Sequence, residues 1–278
     1  MQKMISLLIS LVFVSSCSKD DNLNVTFTKD FVELSAHKLR TFSVETNSKY
    51  LIVFESGLGD DHTVWQAKHV AEDISKKMDV VIYDRGGYGE STINNDPRNI
   101  DRLRTELESV IDKYANGRKL ILVGHSLGGL IIRDYAIKNP DKTAALLFVD
   151  PSHENYNQPT QEVEDLIYDS FKDAYGANFG GTKEVRQLIE DLAYTSELPN
   201  LPNVPVVVLT SMKQDNANTT ADQTYNKTRQ DWYKAHDLLK SGVADFTHIQ
   251  TTNSGHYIMK EEPNLVIENL NLLISKLP

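Results

Sequence analysis

The feature that most constrains this chain is the run Gly124-His125-Ser126-Leu127-Gly128-Gly129, set directly after the apolar stretch Leu120–Val123 and directly before a helical pattern. A serine there sits on a sharp turn between strand and helix. Glycines on either side leave room where side chains would strike the neighbouring strand or helix. Such a turn lifts the Ser126 hydroxyl above the sheet edge and brings a helix N-terminus beneath it, which makes Ser126 a candidate nucleophile.

The rest of the chain fits around that turn. Short β-rich runs recur at 25–28, 41–45, 50–55, 80–83, 120–123, 145–149, 206–209 and 246–251, several of them apolar throughout, as in parallel strands covered on both faces. Helical patterns fall between them at 64–77, 101–114, 127–139 and 263–276. In the second, Leu103, Leu107, Val110, Ile111 and Tyr114 share one helix face. The alternation predicts an α/β fold: a mostly parallel eight-stranded sheet with helices on both faces. Residues 151–205 break the rhythm. They hold no apolar strand, carry helical patterns around 163–171 and 185–193, and end among Pro199, Pro202 and Pro205. A segment of that length predicts an inserted helical cap or lid rather than a loop.

Three further segments join the serine turn in resembling the α/β-hydrolase superfamily, over nearly all of residues 25–278. Glu55-Ser56-Gly57-Leu58-Gly59 follows the third strand, where the family has its oxyanion loop. Asp84-Arg85-Gly86-Gly87-Tyr88-Gly89-Glu90-Ser91 matches the family's Asp-x-x-Gly-x-Gly-x-Ser turn. Asn253-Ser254-Gly255-His256 follows the last strand, where the family's catalytic histidine belongs. The resemblance implies Ser126 as nucleophile, His256 as general base, and the backbone N–H groups of Leu127 and Leu58 as the oxyanion hole. Ser56 stands where the family usually has histidine, a change that main-chain donors tolerate. Asp84–Ser91 reads as structural, His125 as packed, and His62 and His153 as structural or surface rather than pocket residues.

The acid that orients His256 has two candidates. Asp215 lies in the region the family most often uses, but without the expected glycine and in a polar, Asn- and Thr-rich stretch. Asp150 ends the clear strand 145–149 and is followed by Pro151, so it is held more rigidly. Asp150 is favoured narrowly.

Residues 1–16 read as a secretory signal: Lys3, then an apolar run from Ile5 to Val14 that is half of a membrane span. Val14-Ser15-Ser16-Cys17 resembles a bacterial lipobox, which implies cleavage before the chain's single cysteine, lipidation of Cys17 and anchoring in the cell envelope, with 17–24 as a polar tether. Lys19-Asp20-Asp21 resembles an export signal to the outer-membrane surface; the alternative is a linker facing the periplasm. The one cysteine leaves no disulfide framework. A formal charge of −10 without a basic block argues against nucleic acid as a partner. No metal-ligand spacing or phosphate loop stands out, and the serine mechanism needs no cofactor and no metal.

Together these features predict a lipid-anchored serine hydrolase acting on a small-molecule ester or amide, with carboxylic esters first. A serine nucleophile excludes the aspartate-nucleophile epoxide hydrolases and haloalkane dehalogenases of the superfamily. Acyltransfer and prolyl-type aminopeptidase activity are the alternatives on the same triad. The latter needs cap carboxylates for a substrate amine, for which Glu162, Glu164 and Asp165 are the candidates. A binding lipoprotein without catalysis is the alternative of another class.

Overall fold

Eight strands form one sheet in a computed structural model that describes residues 25–214 and 219–278, with side chains in the helix after residue 218 described from residue 228. The strands are β1 (Thr28–Glu33), β2 (Lys38–Val44), β3 (Leu51–Glu55), β4 (Asp79–Tyr83), β5 (Leu120–His125), β6 (Thr143–Val149), β7 (Val206–Ser211) and β8 (Phe246–Thr251). Their order across the sheet is β1-β2-β4-β3-β5-β6-β7-β8. Pairings β1–β2 and β2–β4 are antiparallel, and all others are parallel. The expected mostly parallel, eight-stranded α/β fold is therefore present.

The apolar strands are continuous because both faces are covered. Successive side chains point to opposite faces, and the core divides accordingly. Val206, Val208, Leu120 and Leu122 pack with α3 (Ile100–Tyr114) and α4 (Leu127–Lys138) on one face. Val207, Leu209, Ile121 and Val123 pack on the other with α1 (Thr63–Gln66), α2 (Val70–Ser75), α9 (Ile258–Glu261) and α10 (Pro263–Lys276). Asn99 starts α3 by accepting the Arg102 N–H at 3.0 Å.

Between β6 and β7 lie α5 (Gln161–Tyr175), α6 (Gly180–Val185) and α7 (Leu188–Ser196); α8 (Thr219–Asp237) lies between β7 and β8. Three local differences from the sequence reading have physical causes. The helix expected over 64–77 is two short helices, because His69 adopts a left-handed conformation at φ 60°. The first strand runs from Thr28 to Glu33 and shares only Thr28 with the stretch 25–28 expected from the sequence, since it is a largely exposed edge strand fixed by hairpin register with β2 rather than by burial. Helix α8 is polar over most of its length and shows little apolar periodicity to betray it.

Candidate active site

Ser126 lies between the end of β5 and the start of α4 at φ 51° and ψ −120°, a conformation that costs a non-glycine residue free energy. Two glycines make the turn possible. A Cβ on Gly124 would lie 2.6 Å from the Gly128 carbonyl oxygen, and one on Gly128 would lie 2.5 Å from the Glu55 carbonyl oxygen. The turn is tied to β6 and to the loop beyond that strand: Ser126 N–H donates to the Val149 carbonyl at 3.3 Å, and Ser152 N–H donates to the Ser126 carbonyl at 2.9 Å. The Ser126 hydroxyl itself meets Ser152 Oγ at 3.5 Å, and no direct hydrogen bond joins it to His256 in this structure.

Asp150 comes directly after β6, also at positive φ (45°), with its N–H on the Leu209 carbonyl at 2.8 Å. Its carboxyl is buried and fully engaged. Oδ1 accepts the Ser211 N–H and the Trp232 indole N–H, each at 2.8 Å, and Oδ2 accepts His256 Nδ1–H at 2.7 Å. Burial pushes this carboxyl up, but the hydrogen bond and charge of His256, with His236 and the Ser211 amide, outweigh it and hold the group below its usual value. With Nδ1 donating, His256 presents Nε2 as a lone-pair acceptor. The ring is partly exposed, at 41% for the side chain. The His256 carbonyl accepts from His125 Nε2 at 3.0 Å, and His125 is otherwise buried, its ring pushed far below the usual histidine value by that burial.

The loop after β3 is held from behind by one buried arginine. Arg85 donates to the carbonyls of Ser56 at 2.6 Å and Gly57 at 2.8 Å, to Glu55 at 2.9 Å, and to Glu184 of α6 from Nε at 3.1 Å and Nη2 at 3.0 Å. The Tyr88 hydroxyl accepts the Gly59 N–H at 3.2 Å and donates to Glu184 at 2.6 Å. No peptide among the described residues is cis. With the Gly57 carbonyl turned onto Arg85, the N–H of Leu58 in the same trans peptide therefore points away from the guanidinium. Leu58 is in the wall of the cavity before Ser126. Leu127 opens α4, where a helix leaves its first N–H groups without intrahelical partners.

That cavity has a volume of about 420 Å³, within the range of small-ligand sites. Ser126, Leu58 and Leu127 meet there with Ser152, with Val163 and Ile167 of α5, and with Leu188, Asp191 and Leu192 of α7. The structure thus gathers Ser126, Leu58 and Leu127 around one cavity and links His256 to Asp150. Asp215 and Cys17 lie outside the described residues. The Asp84–Ser91 turn is knitted internally, with Ser91 Oγ donating to the Asp84 carbonyl at 2.7 Å and Asp84 accepting from His62. His62 stacks on Phe42, and His153 faces a separate cavity beside Arg133. Of the three acids considered for holding a substrate amine, Glu162 is exposed, Glu164 accepts the Ile189 N–H at 3.2 Å and Asp165 pairs with Arg186; none of these three lines the Ser126 cavity, whereas Asp191 does.

Asp61, His62 and Asp84 are the one group among the described residues close enough to share a metal ion. Their ring nitrogen is already engaged, as His62 Nδ1 meets Asp84 Oδ1 at 2.7 Å. Sequence reasoning missed Arg85, Trp232 and Asp191. Arg85 alone falls within a recognisable segment, as part of a turn that reads as structural.

The sequence profile described as the alpha/beta hydrolase fold matches residues 50–269. Among curated proteins, the uncharacterized protein YqjL of Bacillus subtilis is 26% identical over 222 residues, covering 79% of this chain and 81% of that one. The human (lyso)-N-acylphosphatidylethanolamine lipase is 30% identical over 114 residues, 40% of this chain and only 33% of the lipase. Among solved structures, a thermophilic esterase from Thermogutta terrifontis superposes with a TM-score of 0.69 at 15% identity, covering 90% of this chain and 98% of the esterase. A putative epoxide hydrolase from Pseudomonas aeruginosa gives 0.68 at 16% identity, covering 90% and 96%. At such identities the superpositions speak for the fold.

Proposed function

This chain belongs to the alpha/beta hydrolase fold family, and from that premise we propose that it is a serine hydrolase cleaving carboxylic esters through an acyl-enzyme on Ser126. The observation that carries the reading is the pairing of buried Asp150 with partly exposed His256, with Nδ1–H donating to Oδ2 at 2.7 Å and Nε2 left to accept a proton. In the mechanism, Ser126 Oγ attacks the ester carbonyl carbon as His256 Nε2 takes its proton, and Asp150 stabilises the imidazolium. The oxyanion that forms is held by the N–H groups of Leu127 and Leu58. Collapse breaks the bond to the alcohol, which leaves with the proton from His256. Water then attacks the acyl carbon, again deprotonated by His256, and frees the acid and Ser126. Ser126 Oγ, which meets Ser152 Oγ at 3.5 Å here, would turn to His256 to start the sequence, a tightening common on substrate binding.

A serine at residue 126 argues against the aspartate-nucleophile chemistry of epoxide hydrolases. The apolar cavity wall and the lipase and esterase among the similar proteins support ester substrates. The prolyl-type aminopeptidase alternative loses the support of Glu162, Glu164 and Asp165, which face elsewhere. Helices α5 to α7 would act as the cap that selects the substrate. A fluorophosphonate probe tests the reading. It should label wild-type protein and not the Ser126→Ala variant, and chromogenic esters should be hydrolysed with kcat lower by several orders of magnitude in Ser126→Ala and His256→Ala. Folded wild-type protein that neither labels nor turns over any ester refutes it in favour of a binding protein. We also place the enzyme in the cell envelope through lipidated Cys17; mass spectrometry of the N-terminal peptide and release from membranes by Cys17→Ser test that placement.

A further inference from the structure

Ten Asp and Glu residues are buried among the described residues. Nine have an Arg, Lys or His nitrogen at 3.8 Å or closer: Glu106 and Glu184 share Arg98, Asp134 has Arg104 and Lys138, Glu154 has Arg133, and the others are held likewise. Asp191 is the tenth, 3% exposed and without a cation among the described residues. Its Oδ1 accepts one neutral donor, the Ile100 N–H at 2.8 Å, and no described group donates to Oδ2.

This carboxyl is also the only one among the described residues lining the cavity before Ser126, whose wall combines leucines such as Leu130, Leu188 and Leu192 with the neutral polar side chains of Ser152, Asn157, Gln158 and Thr160. Burial pushes it up to about 8, and the charges of Glu184, Glu190 and Glu164 push the same way against the Ile100 amide. Such a group is costly to ionise when buried without a cation, and a charged partner offsets that cost. For the other nine buried acids among the described residues the partner is a side chain. Here the open side faces the substrate space.

We propose that Asp191 is a substrate-recognition residue, and that the esters this enzyme prefers carry an ammonium group that enters the cavity and pairs with it. The inference rests on the serine-hydrolase reading for its placement relative to Ser126, not for the binding itself. The apolar walls fit a methylene chain between the ammonium and the reacting carbonyl. A cation also answers to a carboxyl that, unlike Glu164 with Arg186 and Glu184 with Arg85 and Arg98, has no cation of its own among the described residues.

Calorimetric titration of the full chain with butyl-, hexyl- and octylammonium, against the alcohols of the same lengths, reads the subsite without catalysis. At one length the ammonium should bind about tenfold to a hundredfold tighter than its alcohol, the scale of a charge-assisted hydrogen bond. Asp191→Asn, which keeps an oxygen for the Ile100 amide, should collapse that ratio. The same ratio should appear in kcat/KM when the terminal methyl of a chromogenic alkanoate ester is replaced by ammonium. Alcohols binding as well as ammonium ions at every length, or an ammonium preference that survives Asp191→Asn, overturns the proposal. Should that variant not fold, the wild-type ratio decides alone. Ammonium binding in a protein that cleaves no ester would sink the hydrolase reading and leave the subsite standing.

Discussion

Replacing Arg85 by lysine separates what this side chain does for stability from what it does for catalysis. The guanidinium serves the carboxylates of Glu55 and Glu184 and the carbonyls of Ser56 and Gly57 at once. Lysine keeps the charge but has three donors on one atom and no planar fork. At least two buried acceptors then lose their donor, at about 1–3 kcal/mol each, so unfolding free energy should fall by roughly 2–6 kcal/mol, and Tm by about 5 °C or more in a chain of this size. The second consequence is specific. Released from Nη2, the Gly57 carbonyl can turn, and the Leu58 N–H in the same peptide turns with it. Loss of one oxyanion donor costs about a hundredfold to a thousandfold in kcat, with little change in KM because the donor matters most in the transition state. The assay is steady-state ester hydrolysis, well below the variant's melting temperature, beside Glu184→Gln. That second variant should lower Tm while leaving Arg85 on the two carbonyls, so its kcat should fall far less. Equal kcat in Arg85→Lys and wild type, or equal losses in the two variants, would refute the coupling between Arg85 and Leu58.

The geometry carries three other expected outcomes. Trp232→Phe removes one of the two N–H donors on Asp150 Oδ1 and should lower kcat about tenfold at nearly constant KM, one hydrogen bond to a charged group; a change in KM alone would argue for a packing role. Gly128→Ala drives a Cβ against the backbone oxygens of Glu55 and Ser56, so it should abolish fluorophosphonate labelling and lower Tm, by about 1–3 kcal/mol in stability or more. Burial depresses the rings of His125, His153 and His236, the second to about 4 and the third to about 3. The unfolded chain takes up protons below about pH 6.5 while these rings stay neutral in the fold. Their contribution is therefore full above that value and lost as pH falls toward the folded values, about 2 kcal/mol each for His153 and His236 by pH 5. Denaturant unfolding across that range, with no loss of stability, would contradict it.

Much of the fold can be read from the chain because its signals are local. The apolar runs of β3 to β7 are continuous where both faces are covered, and the Ser126 turn needs glycines whose spacing is visible in six residues. The His69 break between α1 and α2 depends on a backbone angle that periodicity does not record. Arg85 and Asp191 are illegible for a deeper reason. Whether a charged residue has a partner is decided by residues far along the chain, Glu184 lying 99 positions from Arg85. No window of sequence shows that, among the described residues, nine buried acids find cations and the tenth does not.

The acid illustrates how a local reading can still rank candidates. Asp150 is favoured in the sequence because it ends a strand, and that placement has a consequence for the proposed mechanism. Ser126 and Asp150 terminate the adjacent strands β5 and β6, which run in register from Ile121–Ala145 to His125–Val149. Both adopt positive φ, and each is tied to its neighbouring strand by a main-chain bond, Ser126 N–H to Val149 and Asp150 N–H to Leu209. Ser126 and Asp150, the proposed nucleophile and acid, thus share one rigid platform, and His256 arrives on a separate loop. Nδ1 of that ring carries a single hydrogen, already given to Asp150 at 2.7 Å. A second carboxylate, Asp215 included, would have to displace Asp150 from that hydrogen rather than add to it. Displacement would also strand the Ser211 and Trp232 donors on a carboxyl turned out of place, a cost of about 1–3 kcal/mol for each buried group left unpaired. In the proposed mechanism one acid, Asp150, would therefore work alone, with the ring of His256 turning between substrate and Ser126 about that hydrogen bond.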